Sequence, residues 1–410
     1  MIKTCPKVRI QNLADILFVV SLYLFAYRAT IGAIFALFSC ALRLSNGKIR
    51  RIKRAKVLKY WIWFIVIFVL ILYPIRTLNF EFYVYVSYLL SVLIIITLDD
   101  SDIEYIIKCL YRVSVLILFS VFLQYIFPEG YKVVAKVVLT SGLYDRSIMR
   151  QDAGYITGLT REVGYTSLFL VIGTLYLLFK DNNRNRYIKL TFWGLGILMT
   201  GKKSQSVFFI CALAFVYLLQ SKNIVRYLKA IAGGVIGIFL SIVSFPVWSK
   251  FVFLSRIVTF INGLNNSMDI NGLSSGRLVI YERAFQLWQS SPIWGIGWEN
   301  FRNLGAYGDS GYTTWFRYFD VHNCYLQILC ETGIIGAIVF GIILLVTLVT
   351  SVRSLRVNKS GSARYSMTYI IFFLLLCITE PVLYTDVYFI FFIICMIIIY
   401  SNKHKVKIRA

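Results

Sequence analysis

The sequence predicts an all-α protein that crosses a membrane with about twelve helices. The chain of 410 residues is 59% apolar, and its mean hydropathy of +0.72 lies well above that of ordinary soluble domains. The apolar residues fall in runs, such as residues 61–75 and 333–352. A helix needs roughly 20 apolar residues to cross the hydrocarbon. We therefore treat 1–410 as a single polytopic transmembrane domain.

The individual spans follow from comparing the apolar runs with the positions of the basic residues. Lys and Arg are concentrated in short connections, most densely at 43–60, and such clusters beside spans mark the cytoplasmic side. The first two runs are short, but basic segments precede and follow the pair. We therefore keep them as two spans that turn at Arg28. The candidate spans lie near residues 12–27, 29–42, 60–75, 82–97, 110–127, 162–179, 188–200, 204–220, 229–247, 322–350, 366–380 and 387–400.

This topology leaves two long segments on the outer side, an external loop at 128–161 and a large external loop at 248–321. Long loops are uncommon in compact proteins and are often functional. Within the larger loop, one helical stripe consists of Ile280, Ala284, Leu287 and Trp288. Such a stripe suits a helix that lies along the membrane surface. We predict that the large loop carries interfacial helices.

The net charge of +24 does not indicate a nucleic-acid partner, although basic proteins attract phosphate backbones. The charge is concentrated in short connections between spans, where such clusters are typical of the cytoplasmic side of a membrane protein. The sequence contains no Walker A, HExxH or GxSxG motif, each of which would indicate a particular enzyme class. The acidic segment DDSD at 99–102 resembles a metal-holding pair of nucleotide-sugar transferases, but its short connection leaves no room for a nucleotide-binding domain. We predict no metal site and no cofactor.

Several cations lie at the predicted outer ends of spans, namely Arg161, Lys202, Lys203 and Arg277. Cations at this boundary oppose the positive-inside bias, so a role other than topology should explain them. A guanidinium group can grip phosphate through two parallel hydrogen bonds. Contact with lipid headgroups is the alternative for each of these residues.

His322 is the candidate proton acceptor. The chain has one other histidine, His404 in the basic tail, and imidazole is the side chain best suited to accept a proton near neutral pH. An alternative role for His322 is to cap the helix that follows. Glu331 lies nine residues later on the opposite face of that helix, so we do not expect it to orient His322 directly.

The sequences SGRLVIYERAFQLWQSSPIWGIGWENFRN at 275–303 and VHNCYLQILCETGIIGAIVFG at 321–341 resemble the signature region of the O-antigen polymerase and ligase family. Members of the family share an arginine-led helix, a proline and G-x-G stretch, and then HN-x-YLQ-x-x-x-E-x-G-x-x-G. GLTREVGYTSLF at 158–169 and LMTGKKSQSVFF at 198–209 are similar to two upstream segments of the family. Members often have Ser-Arg after Thr-Gly, where this chain has two lysines.

The resemblance implies transfer of a glycan from undecaprenyl diphosphate to a sugar hydroxyl, without a metal, on the outer face of the bacterial plasma membrane. The donor would be an undecaprenyl-diphosphate-linked oligosaccharide. Arg161 and Arg277 would stabilise the diphosphate, with Lys202 or Lys203 assisting, and His322 would act as base or orienting group. Further candidates for binding the diphosphate or the glycan are Arg283, Asn323 and Tyr325. Side chains that would stack on sugar or anchor at the interface are Trp288, Trp294, Trp298 and Tyr325.

Three functions remain open at this stage. A polymerase would join repeat units into O-antigen, capsule or exopolysaccharide, and it would work beside a flippase and a chain-length regulator. A ligase would move a finished glycan to another acceptor. A lipid-linked oligosaccharide flippase or other transporter would place ionisable residues deep in its spans. The cations here lie at the predicted outer ends of spans, which favours an enzyme over a transporter. Of the two enzymes, we predict a polymerase.

Overall fold

The computed structural model describes residues 6–46, 56–77, 82–98, 100–220, 258, 277–304 and 320–407. Within these residues every regular element is a helix and no strand occurs, which confirms the all-α class. The helices are α1 (Pro6–Phe25), α2 (Ala29–Ser45), α3 (Lys56–Arg76), α4 (Phe82–Thr97), α5 (Asp100–Ile126), α6 (Pro128–Val138), α7 (Ser141–Asp152), α8 (Val163–Phe179), α9 (Arg186–Met199), α10 (Lys203–Leu219), α11 (Arg277–Ser290), α12 (Phe301–Leu304), α13 (Cys324–Val357), α14 (Gly361–Leu376) and α15 (Asp386–Lys407). A 3-10 turn, Val382–Tyr384, precedes α15.

The described helices include three that are long and apolar enough to cross a membrane, namely α3, most of α5 and α13. Shorter apolar helices of 10–17 residues are Leu13–Phe25, Thr30–Ser45, Val84–Thr97, Val163–Phe179, Lys203–Leu219, Gly361–Leu376 and Asp386–Tyr400. Each candidate span within the described residues coincides with a helix, including the separate pair α1 and α2. The chain is therefore an integral membrane protein. The count of about twelve spans stays a prediction, and the candidate at 229–247 lies outside the described residues.

Contacts between helix ends sort the connections into two groups. At one end, the Lys180 ammonium group lies 2.5 Å from Glu104 and 2.5 Å from Ser362. These three residues belong to connections predicted to be cytoplasmic. At the other end, the Arg161 amide donates to the Ala26 carbonyl at 3.0 Å. Arg161 lies in a connection predicted to be external, and Ala26 lies near the predicted outer end of the first span. The grouping agrees with the predicted alternation of spans, while the orientation in the membrane stays a prediction.

The centre of the bundle is α15. Every residue from Val387 to Tyr400 is buried, and the helix contacts α1, α4, α5, α13 and α14. Helix α8 is almost as deeply buried. A helix that is apolar on all sides fits such a central position. Since lipid is as apolar as these side chains, close packing rather than exclusion of water holds them together.

A buried ionic cluster joins α1, α2 and the start of α5. Arg43 donates to Asp102 at 2.9 Å and also to Asp15, and all three side chains are at most 4% exposed. A buried guanidinium group needs such partners because removing a charge from water is costly. Asp102 belongs to the acidic segment 99–102, so this carboxylate has an ion-pair partner inside the bundle.

The segment 128–161, which is predicted to be external, consists mainly of α6 and α7. The buried Tyr131 hydroxyl of α6 contacts the Ser147 hydroxyl at 2.7 Å and donates to the Gly158 carbonyl at 2.6 Å. Tyr27, in the turn between α1 and α2, donates to the Val138 carbonyl. These bonds fold the segment onto the end of the bundle.

The segment 248–321, also predicted to be external, is described only in part, and its residues 248–257, 259–276 and 305–319 lie outside the described residues. The described part contains α11 and α12, and the position of α11 along the membrane surface stays a prediction. The apolar stripe that begins at Ile280 packs against Phe301, Val321 and Cys330. An apolar stripe is covered equally well by protein, and here α12 and the start of α13 cover it.

Candidate functional site

Two of the predicted external cations, Lys202 and Arg277, converge on one carboxylate. The Lys202 ammonium nitrogen lies 3.1 Å from Oε1 of Glu380, and a guanidinium nitrogen of Arg277 lies 3.7 Å from the same oxygen. The Ser204 hydroxyl donates to this oxygen at 3.4 Å. Lys202 precedes α10, Arg277 begins α11 and Glu380 follows α14. Three connections that are distant in sequence therefore form one charged cluster.

The position of Glu380 follows from the end of α14. The Glu380 amide donates to the Leu376 carbonyl at 2.8 Å, and Pro381 follows, which cannot donate and so does not continue the helix. The Cys324 thiol donates to the Glu380 carbonyl at 3.2 Å, and the Cys324 amide donates to the Cys377 carbonyl at 2.8 Å. The turn that carries Glu380 is therefore attached to the start of α13.

His322 lies two residues before α13 and is half-buried. Its φ of +56° is a left-handed conformation that costs a non-glycine residue free energy. The Asn323 side chain accepts the Leu326 amide at 3.1 Å and so caps α13, as asparagine commonly does. The cap is therefore Asn323 and not His322. Tyr281 of α11 donates to the His322 carbonyl at 3.4 Å.

The surroundings of His322 favour its neutral form. Burial lowers the pKa of His322, Arg277 and Lys202 act in the same direction, and two carboxylates oppose them. A neutral imidazole can accept a proton at neutral pH. Burial alone would raise the pKa of Glu380, but Lys202, Arg277 and His322 hold that pKa below its ordinary value. Glu380 is therefore a charged carboxylate beside two cations.

A buried polar network supports the segment that carries His322. Arg302 of α12 makes two bonds to Asp320, at 2.8 and 2.9 Å. The side-chain amide of Gln327 donates to Asp320 at 3.3 Å and to Glu331 at 3.2 Å. The Tyr384 hydroxyl donates to Glu331 at 2.8 Å. Gln327 and Glu331, both residues of the sequence signature, therefore tie the His322 segment to α12 and to the 3-10 turn.

The glycines of the signature allow a loop to enter a break in α13. Gly333 has φ 67° and ψ −171°, which interrupts the helix. The Gly297 amide donates to the Glu331 carbonyl at 2.8 Å. A Cβ atom at Gly333 would lie 2.2 Å from the Ile293 carbonyl oxygen, and one at Gly295 would lie 2.4 Å from the Glu331 carbonyl carbon. Only glycine accommodates this close backbone approach.

Arg161 lies beside Tyr165, and a second tyrosine, Tyr388, lies between Tyr165 and α10. Its guanidinium group donates to the Tyr165 hydroxyl at 2.5 Å and lies 4.9 Å from the centre of that ring. The Tyr165 ring is 6.1 Å from the Tyr388 ring, whose hydroxyl accepts from Gln205 at 2.5 Å. Arg161 also interacts electrostatically with Asp386. Two tyrosines therefore connect Arg161 to the first turn of α10.

The other predicted binding residues have these positions. Lys203 is the first residue of α10 and is half-buried. Arg283 donates to the carbonyl that ends α12 at 3.3 Å, and the Tyr325 hydroxyl donates to a carbonyl of α14 at 2.8 Å. Asn323 caps α13. Contact of any of these residues with substrate stays a prediction.

The structure corrects the expectation for Trp298. Its side chain is 2% exposed, stacks on Tyr384 with ring centres 4.8 Å apart and meets the edge of Tyr88 at 5.6 Å. The indole fills space between α4 and the 3-10 turn, so it is neither a sugar platform nor an interface anchor. Trp294, by contrast, is 60% exposed.

Sequence reasoning missed Glu380. Its signal was an acidic residue directly before Pro381 at the predicted outer end of a span. An isolated carboxylate at the end of a span is unusual and can indicate a functional site. Its pairing with Lys202 and Arg277 depends on how distant helices pack, which no local pattern shows.

The fold and the site define a helical integral membrane protein with cations, a carboxylate and a neutral imidazole at one end of the bundle. Residues 188–341 match the family model described as O-Antigen ligase, which confirms the resemblance found in the sequence. The matched region includes Lys202, Arg277 and His322, and it leaves out Arg161 and Glu380. No curated protein matches the chain.

Proposed function

We propose that this protein polymerises lipid-linked oligosaccharide repeat units, with an undecaprenyl-diphosphate donor, on the outer face of the bacterial plasma membrane. One observation carries the proposal: Lys202 and Arg277 meet at Glu380 within the electrostatic reach of a half-buried His322. Cations that bind phosphate and a neutral base are the two kinds of group that glycan transfer from a lipid diphosphate needs.

In the proposed step, the acceptor hydroxyl oxygen forms a bond to the anomeric carbon of the donor sugar. The bond between that carbon and the diphosphate oxygen breaks, and its electron pair leaves with the lipid diphosphate. The hydroxyl proton passes to the imidazole of His322, whose pKa is lowered by burial. The products are a lengthened glycan and a lipid diphosphate.

Negative charge grows on the diphosphate as the bond breaks, and fixed cations stabilise it. Arg277 and Lys202 supply two such cations, and Arg161 supplies a third from the neighbouring connection. A guanidinium group serves this purpose well because it can contact two phosphate oxygens at once. The proposal includes metal-independent transfer, since these cations provide charge of the kind a divalent ion would supply.

The outer face is proposed because these residues lie at or near span ends that the distribution of Lys and Arg predicts to be external. On that face the protein would receive lipid-linked units from a flippase. A chain-length regulator is a further proposed partner. Membrane lipid would surround the apolar sides of the bundle.

Ligation is the second candidate, favoured by the description of the matching family, O-Antigen ligase. A ligase would use the same cations and the same base, but it would transfer a finished glycan to a different acceptor. The two activities differ in whether a second lipid-linked repeat unit accepts the chain.

The test uses purified full-length protein with lipid-linked repeat units as the sole glycan substrate. A polymerase yields a ladder of products with and without chelator, whereas a ligase yields none until another acceptor is added. His322→Ala should remove the ladder while the protein still purifies from the membrane. Undiminished chain length in that variant would remove His322 from the mechanism, and loss of the ladder with chelator would refute metal-independent transfer.

A further inference from the structure

One carboxylate oxygen of Glu380 contacts two cations that are distant in sequence. This Oε1 atom lies 3.1 Å from Lys202 and 3.7 Å from Arg277, and the Glu380 side chain is 11% exposed. Two cations this close repel each other unless an anion lies between them. Glu380 is the anion that contacts both Lys202 and Arg277.

The position of Glu380 is fixed by hydrogen bonds to the backbone of its turn as well as by the ion pairs of its carboxylate. The thiol of Cys324 donates to the Glu380 carbonyl at 3.2 Å and accepts the Leu383 amide at 3.4 Å. Cys324 is the first residue of α13 and follows His322 by two positions. One buried side chain therefore fixes the Glu380 turn relative to the His322 backbone.

The charged and titratable groups that face His322 come from each element around it. Helix α11 presents Arg277, with Tyr281 donating to the His322 carbonyl. The turn before α10 presents Lys202, and the turn after α14 presents Glu380. The segment before His322 itself presents Asp320. Among the described residues, Arg277 and Lys202 act on the imidazole as cations, and Glu380 and Asp320 act on it as anions. Asp320 also binds Arg302 at 2.8 Å.

We propose that Glu380 is a positioning residue for glycan transfer: it holds Lys202 and Arg277 together at the mouth of the site and offsets their charges at His322. This inference rests on the proposed function. Without the Glu380 carboxylate, Arg277 and Lys202 still act on His322, and of the two carboxylates named above only Asp320 remains, which Arg302 already binds. The proton affinity of His322 then falls, which makes it a weaker acceptor for the hydroxyl proton.

His322 must be neutral to accept a proton, so activity falls as pH decreases through its pKa. The negative charge of Glu380 raises the pKa of His322, against burial and the two cations, which lower it. Glu380→Gln should therefore move the acid limb of the pH–rate profile to lower pH, by about one pH unit. The maximum rate should fall by about tenfold, since the cations lose their common partner.

The experiment measures His322 directly, which is feasible because the chain has two histidines. In a His404→Gln background the imidazole signal of His322 is titrated by NMR, with the protein in lipid nanodiscs. Glu380→Gln should lower the measured pKa, and Glu380→Asp should leave it nearly unchanged because the charge is kept. The matched control is Glu162→Gln, since Glu162 also pairs with two cations, Arg146 and Arg150, and this variant should not change the titration.

An unchanged His322 titration and pH profile in Glu380→Gln would overturn the inference, even if the variant were less active. The same holds if Glu380→Asp behaved like Glu380→Gln. The proposed function fails on different evidence, namely a His322→Ala variant with full activity. A shifted titration together with an active His322→Ala variant would leave Glu380 without the proposed role in transfer and so would also count against the inference.

Discussion

At the scale of single residues, the structure separates two adjacent lysines that the sequence could not distinguish. Lys202 precedes α10 with φ −81° and ψ 86°, and its ammonium group reaches Glu380 at 3.1 Å. Lys203 is already helical. Helix starts inferred from sequence are uncertain by one or two residues, and a shift of one residue turns a side chain by about 100° around the axis.

Lys202→Met should therefore lower the rate of transfer more than Lys203→Met. A hydrogen bond to a charged group contributes about 1.5–3 kcal/mol, so we expect Lys202→Met to cost about 10–100-fold. The measurement is initial product formation by purified variants at equal protein concentration. Equal losses in the two variants would contradict the assignment of Lys202 to the site.

Much of the candidate site was predictable because it consists of charges in unusual places. Arg277 and His322 stand out in an apolar sequence, and the match at 188–341 confirms the family resemblance of their region. Glu380 was not predictable, since its meaning depends on α10, α11 and α14 meeting at one point. The burial of Trp298 was not predictable either, because a tryptophan near the end of a span is also typical of the membrane interface.

At the scale of elements, the helices were predictable and the break in α13 was not. Apolar runs predicted a helix at each described span, whereas a glycine within such a run is common and gives no sign of an interruption. The break at Gly333 forms because the loop containing Gly295 and Gly297 donates to carbonyls of that turn. Those bonds satisfy backbone groups that a broken helix would otherwise leave without partners.

Gly333→Ala should destabilise the protein. The new Cβ atom would lie 2.2 Å from the Ile293 carbonyl oxygen at a φ of +67°, and overpacking and left-handed strain each cost about 1–3 kcal/mol. The control is Gly341→Ala in the same helix, where nothing lies within 4 Å of the new atom. Thermal unfolding in detergent should show a lower midpoint for Gly333→Ala only. Equal midpoints would mean that the break is not required.

At the scale of the whole molecule, the described contacts agree with alternating spans. The Lys180, Glu104 and Ser362 contacts gather at one end, and the Glu380 cluster gathers among connections predicted to lie at the other. The overall class followed from hydropathy. The arrangement of helices around α15 did not, because in lipid it depends on packing between spans, which composition does not show.

The sidedness can be measured with reporters that work on only one side of the membrane. A reporter fused after Asn266 should be active outside the cell, and one fused after Asn182, in the connection that carries Lys180, should be active in the cytoplasm. The reason is the excess of Lys and Arg in the connections predicted to be cytoplasmic. A cytoplasmic signal after Asn266 would invert the topology and place the Glu380 cluster on the wrong face for the proposed reaction.

The central position of α15 has a consequence for biosynthesis. The ribosome delivers this helix after all the others described here, yet α1, α4, α5, α13 and α14 all pack on it. Until α15 is inserted, the surfaces of the earlier helices that later pack on it therefore contact lipid or an insertion chaperone. A nascent chain that stalls before α15 exposes the surfaces that this helix later covers. Protein quality control can recognise these exposed surfaces.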